Sequence, residues 1–220
     1  MNSLRIHLKE VLIFVAALFL LFQPVSLRAD TLTFNPRFLF SGTSPTGSPP
    51  WLTATFSSDA PGTVTLTMSS SFKDTGEFVT EWDFNLNPAL DPASLSIIYN
   101  SGPTASVSKG TNAFFADGDG YFDIEFLFPT DPQGSRFSDS KTSVYTIIGD
   151  SITASSFNYL SYINGGEGVY HTGAYIQGIP SGVGSGWIGN SIKVPEPGIL
   201  ILLGIAMSAI GVASYRIRKL

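Results

Sequence analysis

Residues 30–193 predict an all-β fold, an antiparallel β-sandwich of which the jelly roll is one form, flanked by an N-terminal signal helix and a C-terminal transmembrane helix. Three observations carry the prediction. Apolar and polar residues alternate with period two in several stretches, as strands with one buried and one wet face require. Clusters of Gly, Pro, Ser and Asp separate those stretches. Only residues 153–160 read as a short helix, with Thr153 as a cap. Many short strands without long helices favour stacked sheets over the helix-containing classes.

Along the chain, residues 1–10 carry Arg5 and Lys9, residues 11–22 are apolar throughout, and residues 23–29 are polar with Pro24 among them. That order predicts a secretory signal peptide over residues 1–29, cut after Ala29. The stretch SGTSPTGSPP, residues 41–50, reads as a flexible or polyproline-like loop. Leu52, Ala54 and Phe56 then alternate with threonines, as do Val64, Leu66 and Met68 after the turn at residues 58–62. Phe78, Thr80, Trp82, Phe84 and Leu86 oppose Val79, Glu81, Asp83 and Asn85. Leu95, Ile97 and Tyr99 form another stripe, and Phe122, Ile124, Phe126 and Phe128 a strong one. Residues 144–148, 169–177 and 187–194 complete the expected strands, with a soft stretch at 179–186. No internal repeat is evident, so residues 30–193 predict one domain.

The last residues, VPEPGILILLGIAMSAIGVASYRIRKL, differ from all others. Residues 198–215 carry no formal charge and, as a helix, reach about 27 Å, near the thickness of a bilayer core. Arg216, Arg218 and Lys219 follow in the basic tail, residues 216–220, and such charge beside a span stays cytoplasmic, which places the preceding domain outside. Pro195 and Pro197 remove two backbone donors and hold the chain extended ahead of the helix. Val194, Pro195, Glu196 and Pro197, then the span, then the basic end, resemble a PEP-CTERM sorting domain. The resemblance covers residues 194–220 and implies an exosortase partner in the inner membrane, cleavage near the motif, and an exopolysaccharide-producing Gram-negative host. PPWLTATF, EFVTEWDFNLNPALDP and GSGWIG also resemble an ectodomain that recurs among PEP-CTERM proteins, which implies one domain and supplies no mechanism.

Composition narrows the function further. Residues 30–193 hold six Lys and Arg against fifteen Asp and Glu, a formal charge of −9. A domain so short of cations is a poor partner for nucleic acid or anionic lipid, whose phosphates need Lys and Arg. Cysteine is absent and the histidines are His7 and His171, which rules out thiol nucleophiles and His-rich metal cages. Without disulfides the exported fold must rest on its core.

Several motifs invite chemistry. GSGWIG at 184–189 fits a dinucleotide glycine pattern but lacks the strand before and helix after that the pattern needs, so it reads as a turn with a packed Trp187. His171 has no serine partner and reads as structural. Asp117, Asp119 and Asp123, spaced by Gly118 and Gly120, offer oxygen ligands for calcium, against the alternative of a hairpin turn. DIEFL at 123–127 resembles the end of the Glu-x-Asp-x-Glu strand of laminarinase-like glycoside hydrolases, with Tyr121 where that family has its nucleophile. Glu81 and Asp83 make a second same-face pair, followed by Asn85 rather than a third acid. Both pairs read as solvated acids on an outer sheet face, so no enzyme is expected. The expected function is an exported surface or matrix protein with a non-catalytic domain. The alternative is a carbohydrate-binding module presenting Tyr159, Tyr162, Tyr170, Tyr175 and Trp187 to exopolysaccharide, and after it a degenerate glycoside hydrolase-like jelly roll.

Overall fold

The computed structural model describes residues 30–191, apart from 74–75, 118–119 and 164–168. The expected signal peptide, the sorting motif Val194 to Pro197, the span 198–215 and the basic tail with Arg216, Arg218 and Lys219 lie outside the described residues, as does Asp119. Among the described residues the chain forms β1 (Thr31–Phe34), β2 (Phe38–Gly42), β3 (Leu52–Ala60), β4 (Thr63–Ser70), β5 (Phe78–Phe84), β6 (Ser96–Ser101), β7 (Ser106–Phe115), β8 (Tyr121–Leu127), β9 (Phe137–Ser138), β10 (Thr142–Ile148), β11 (Tyr170–Gln177) and β12 (Ser185–Ser191). The fold is all-β, and its strands pair antiparallel in two sheets.

One sheet runs in the order β1-β3-β4-β10-β6, the other β2-β12-β11-β5-β8-β7, with β9 beside the start of β5; neither closes into a barrel. Alternation in the sequence becomes alternation in space. Leu52, Ala54 and Phe56 of β3 and Val64, Leu66 and Met68 of β4 are buried, while the threonines between them are not. The second sheet contributes Trp82, Phe84, Ile124, Phe126, Ala174, Ile176 and Ile188 to the same core. Edge-on ring contacts join the two sheets: Phe56 to Phe84 at 5.3 Å and Phe126 to Tyr145 at 5.0 Å between centroids. Such contacts add about 1 kcal/mol each beyond the apolar area they bury.

The expected helix at 153–160 is shorter in the structure. A single 3-10 turn, Ala154–Phe157, follows Thr153, whose backbone N–H donates to Ser156 Oγ at 3.0 Å. Phe157 stacks on Phe56 at 4.3 Å, so the turn plugs one end of the core. Among the described residues no helix is long and apolar enough to cross a membrane.

Four strands escaped the pattern: β1, β2, β7 and β9. In β7 the register shifts between Lys109 and Phe114, and Asn112 takes a φ of 49°, so its side chains never keep period two. An edge strand needs only backbone pairing on one side, which no hydrophobic stripe advertises. The loop at 41–50 also differs from the flexible expectation, because Thr46 is tied down: its N–H and hydroxyl donate to the two carboxylate oxygens of buried Glu77, at 2.6 and 2.8 Å.

Candidate functional site

Trp82 and Phe84 point into the core, so Glu81 and Asp83, which alternate with them, face the opposite side of the second sheet. Cross-strand register then decides what surrounds them. One row across that side reads Trp187, Tyr175, Glu81 and Leu127; the next reads Gly189, Gly173, Asp83, Glu125 and Ser108. Glu125 therefore stands opposite Asp83 on the neighbouring strand. One carboxylate oxygen from each of Glu81, Asp83 and Glu125 lies within 4.8 Å of the other two.

The row of glycines explains why this side is not simply wet. A Cβ at Gly189 would fall 2.6 Å from Tyr170 Cδ1, and one at Gly173 would meet Phe122 at 3.3 Å and Ala116 at 3.5 Å. Rings occupy the space that side chains would otherwise fill. Ala116, Phe122, Tyr170 and Trp187 form a second apolar cluster, with Phe40, Phe114 and Tyr175 packed against it. Phe40 stacks on Tyr170 at 4.6 Å and on Trp187 at 6.0 Å, and Tyr175 stacks on Trp187 at 5.1 Å. Asp83, beside this second layer, has no exposed surface at all, whereas Glu81 and Glu125 are half-buried. The expectation of solvated acids on an outer face is thereby corrected: the face is outer, but the middle carboxylate is sealed.

Neither oxygen of Asp83 finds a hydrogen-bond partner of proper geometry. Its polar neighbour is the Glu81 carboxyl, which can accept a proton from Asp83 but, once ionised, offers none. Burial, then the charges of Glu81 and Glu125, hold Asp83 well above the usual carboxylate range. Burial, then the charge of Glu125, push Glu81 up to about 7. Glu125 is raised by burial, against which a hydrogen bond from Ser108 works. No cation figures among these causes, and no ion pair joins the three acids to a described Lys or Arg.

The residues singled out in the sequence sort differently. Asp117 is exposed, with a φ of 42°, and Asp119 lies outside the described residues. Asp123 is buried and bonded: its Oδ2 accepts from Leu86 N at 2.9 Å and its Oδ1 from Asn112 N at 2.8 Å. It ties β8 to the chain leaving β5 and to the bulge of β7. Gly120 takes a φ of 133°, and a Cβ there would run into Ser161, which makes the glycine a requirement of this hairpin. His171 stacks on Phe34 at 5.3 Å with its Nδ1 3.1 Å from Tyr159 O, and burial lowers its pKa. It is a packing residue, as expected.

The five aromatics do not make one strip. Tyr170 and Trp187 are buried within the second cluster, Tyr175 is at its margin, and Tyr162, 64% exposed, pairs with Tyr121 at the far end of β8. Beside Tyr162 lies a cleft of about 530 Å³ lined by Leu86, Pro88, Leu90 and Leu160, with Asn85, Asn112 and Asp123 among its polar residues. Glu125 is the functional candidate that the sequence offered only in a different pairing. Its distance along the chain from Asp83 hides a contact that only strand register creates.

Compared with protein-family models, with curated proteins and with solved structures, the chain has no match.

Proposed function

We propose that the chain is an exported protein whose domain, residues 30–193, is a β-sandwich of jelly-roll type with a structural or interaction role at the cell surface or in an exopolysaccharide matrix. The signal peptide, residues 1–29, starts export; the span 198–215 holds the chain in the inner membrane with Arg216, Arg218 and Lys219 inside; and Val194, Pro195, Glu196 and Pro197 present it to an exosortase. The observation that carries this reading is the order of motif, uncharged span and basic tail after a strand-rich acidic domain. A non-catalytic role is supported by Asp123, whose carboxylate is used up by backbone donors.

A carbohydrate-binding role is the second reading, favoured by half-buried Phe40 and Tyr175 at the margin of the second aromatic cluster, where they stack on buried Tyr170 and Trp187. Replacing Pro195, Glu196 and Pro197 by alanines tests the first. In a host with the sorting peptidase the parent loses its tail and leaves the inner membrane, and the variant stays there uncut. Identical masses for the two mature forms would reject the sorting function, whatever the domain binds.

A further inference from the structure

We propose that Glu81, Asp83 and Glu125 form a calcium site on the outer side of the second sheet. Three carboxylates alone would be weak grounds, since acidic residues gather on many surfaces. What singles these out is Asp83: it is wholly buried, neither of its oxygens is met by a donor from outside the three acids, and one of them lies among the oxygens of Glu81 and Glu125. A buried carboxylate is normally met by donors or by a positive charge. Here the surroundings supply neither. The nearest rows present Gly173, Tyr175, Leu127 and Ser108, of which Ser108 serves Glu125.

The spacing suits a hard cation of calcium's size. Oxygens bound to Ca²⁺ at about 2.3 to 2.6 Å lie at most roughly 5 Å apart, whereas Mg²⁺ at about 2.1 Å draws its ligands within roughly 4.2 Å. A set in which the oxygens lie within 4.8 Å of one another therefore accepts calcium with little movement. Glu81 and Glu125, being half-buried, leave the solvent side open for water ligands. Three negative charges meeting two positive ones also relieve the repulsion that the sheet builds into this place. The site is distinct from the loop of Asp117 and Asp119, because both the strands and the register that make it belong to the sheet interior.

The test is calorimetric titration of the full chain in nonionic detergent with CaCl₂ and, separately, MgCl₂ at pH 8. One calcium per chain is expected, with a Kd of about 0.1 to 1 mM and magnesium at least about tenfold weaker. Saturating calcium should raise the melting temperature by about 3 to 6 °C. Glu125→Gln, a change at a half-exposed position, and Asp83→Asn, near in shape to the acid it replaces, should each reduce the affinity at least about tenfold while far-UV dichroism stays that of the parent. Asp117→Asn with Asp119→Asn should bind like the parent. Absence of binding by the parent would overturn the proposal and leave a shared proton as the solution to the cluster. Parent-like binding by Glu125→Gln and Asp83→Asn would overturn it too, as would loss of binding in the Asp117 and Asp119 variant alone, and equal affinity for magnesium would remove the calcium assignment.

Discussion

Glu77 and Asp83 sit at the two ends of one stretch of chain, and both are fully buried, yet their carboxylates live in opposite circumstances. Glu77 receives two hydrogen bonds from Thr46 and thereby pins the loop at 41–50 to the start of β5. Asp83 receives none and faces two further acids instead. Asp123 belongs with Glu77, since two backbone N–H groups satisfy it. A buried carboxylate with two donors is a fastening, and what it holds can be named. One with only acidic neighbours is incomplete as it stands, and a proton or a cation completes it. The two kinds lie at opposite ends of the same strand, so differences in their response to mutation isolate the partners rather than the burial.

The upper bound of the comparison is an acid with no polar company at all. Ile124→Asp puts a carboxylate into the core between the sheets, where Ile124 is 1% exposed. Burying an unpaired charge costs several kcal/mol, a large share of the roughly 5 to 15 kcal/mol that stabilises a domain. The expected outcome is loss of the cooperative thermal transition in the full chain, followed by circular dichroism. An unchanged melt would show that β8 does not face the core.

Next in size is Glu77→Ala, which strips Thr46 of both acceptors and leaves its N–H without one. A loss of about 2 to 4 kcal/mol is expected, read as a lower denaturation midpoint, together with faster proteolysis within residues 41–50. If the loop stays protected, Glu77 is not its fastening. Asp123→Asn is smaller. One oxygen remains to accept, while the new amide turns a donor toward either Leu86 N or Asn112 N, at an expected cost of about 1 to 2 kcal/mol in denaturant unfolding.

Asp83 should behave unlike either. In calcium-free buffer at pH 8, Asp83→Asn replaces a carboxyl whose ionisation burial and two neighbours oppose, so stability should hold or rise by about 1 kcal/mol. A loss as large as that of Glu77→Ala would mean that Asp83 has a donor after all.

The smallest effect is a slope with pH. Glu81 and Asp83 both have folded-state pKa values above their unfolded ones, so their contribution is fully present below about pH 4 and is lost as the pH rises through the folded values, near 7 for Glu81, with Asp83 raised in the same direction by burial. The groups that face them are Glu125, Ser108 and Tyr175. The melting temperature of the calcium-free chain should therefore fall as the pH rises from about 4.5 through the Glu81 value near 7, and Glu81→Gln should flatten the slope. A slope of opposite sign would show that these acids are ionised and paired.

Much of the body of the fold was legible because the signals are local. Phe122, Ile124, Phe126 and Phe128 announce a buried stripe through spacing alone, and the structure buries all four. Pro61 and Gly62 announce the turn between β3 and β4, where Gly62 has a φ of 71°. The edge strands were not legible, because β7 is held by pairing along one side and its bulge breaks the period. The site was half legible. Glu81 and Asp83 share a face by parity, but nothing in EWDFN tells whether that face is covered, and the rings that cover it come from Phe40, Phe122, Tyr170 and Trp187, far along the chain in both directions.

By itself, then, the sequence determined the all-β class, much of the central core and the acidity of residues 30–193, because alternation, turn chemistry and charge are properties of neighbouring residues. Only the tertiary structure decided which acids are fastened and which are left together. Pairing of β5 with β8 sets Glu125 opposite Asp83, and pairing of β5 with β11 sets Gly173 on its other side. Both depend on register between strands distant in the chain, and a slip of one residue would have turned Glu125 into the core and left Asp83 beside an isoleucine or a phenylalanine.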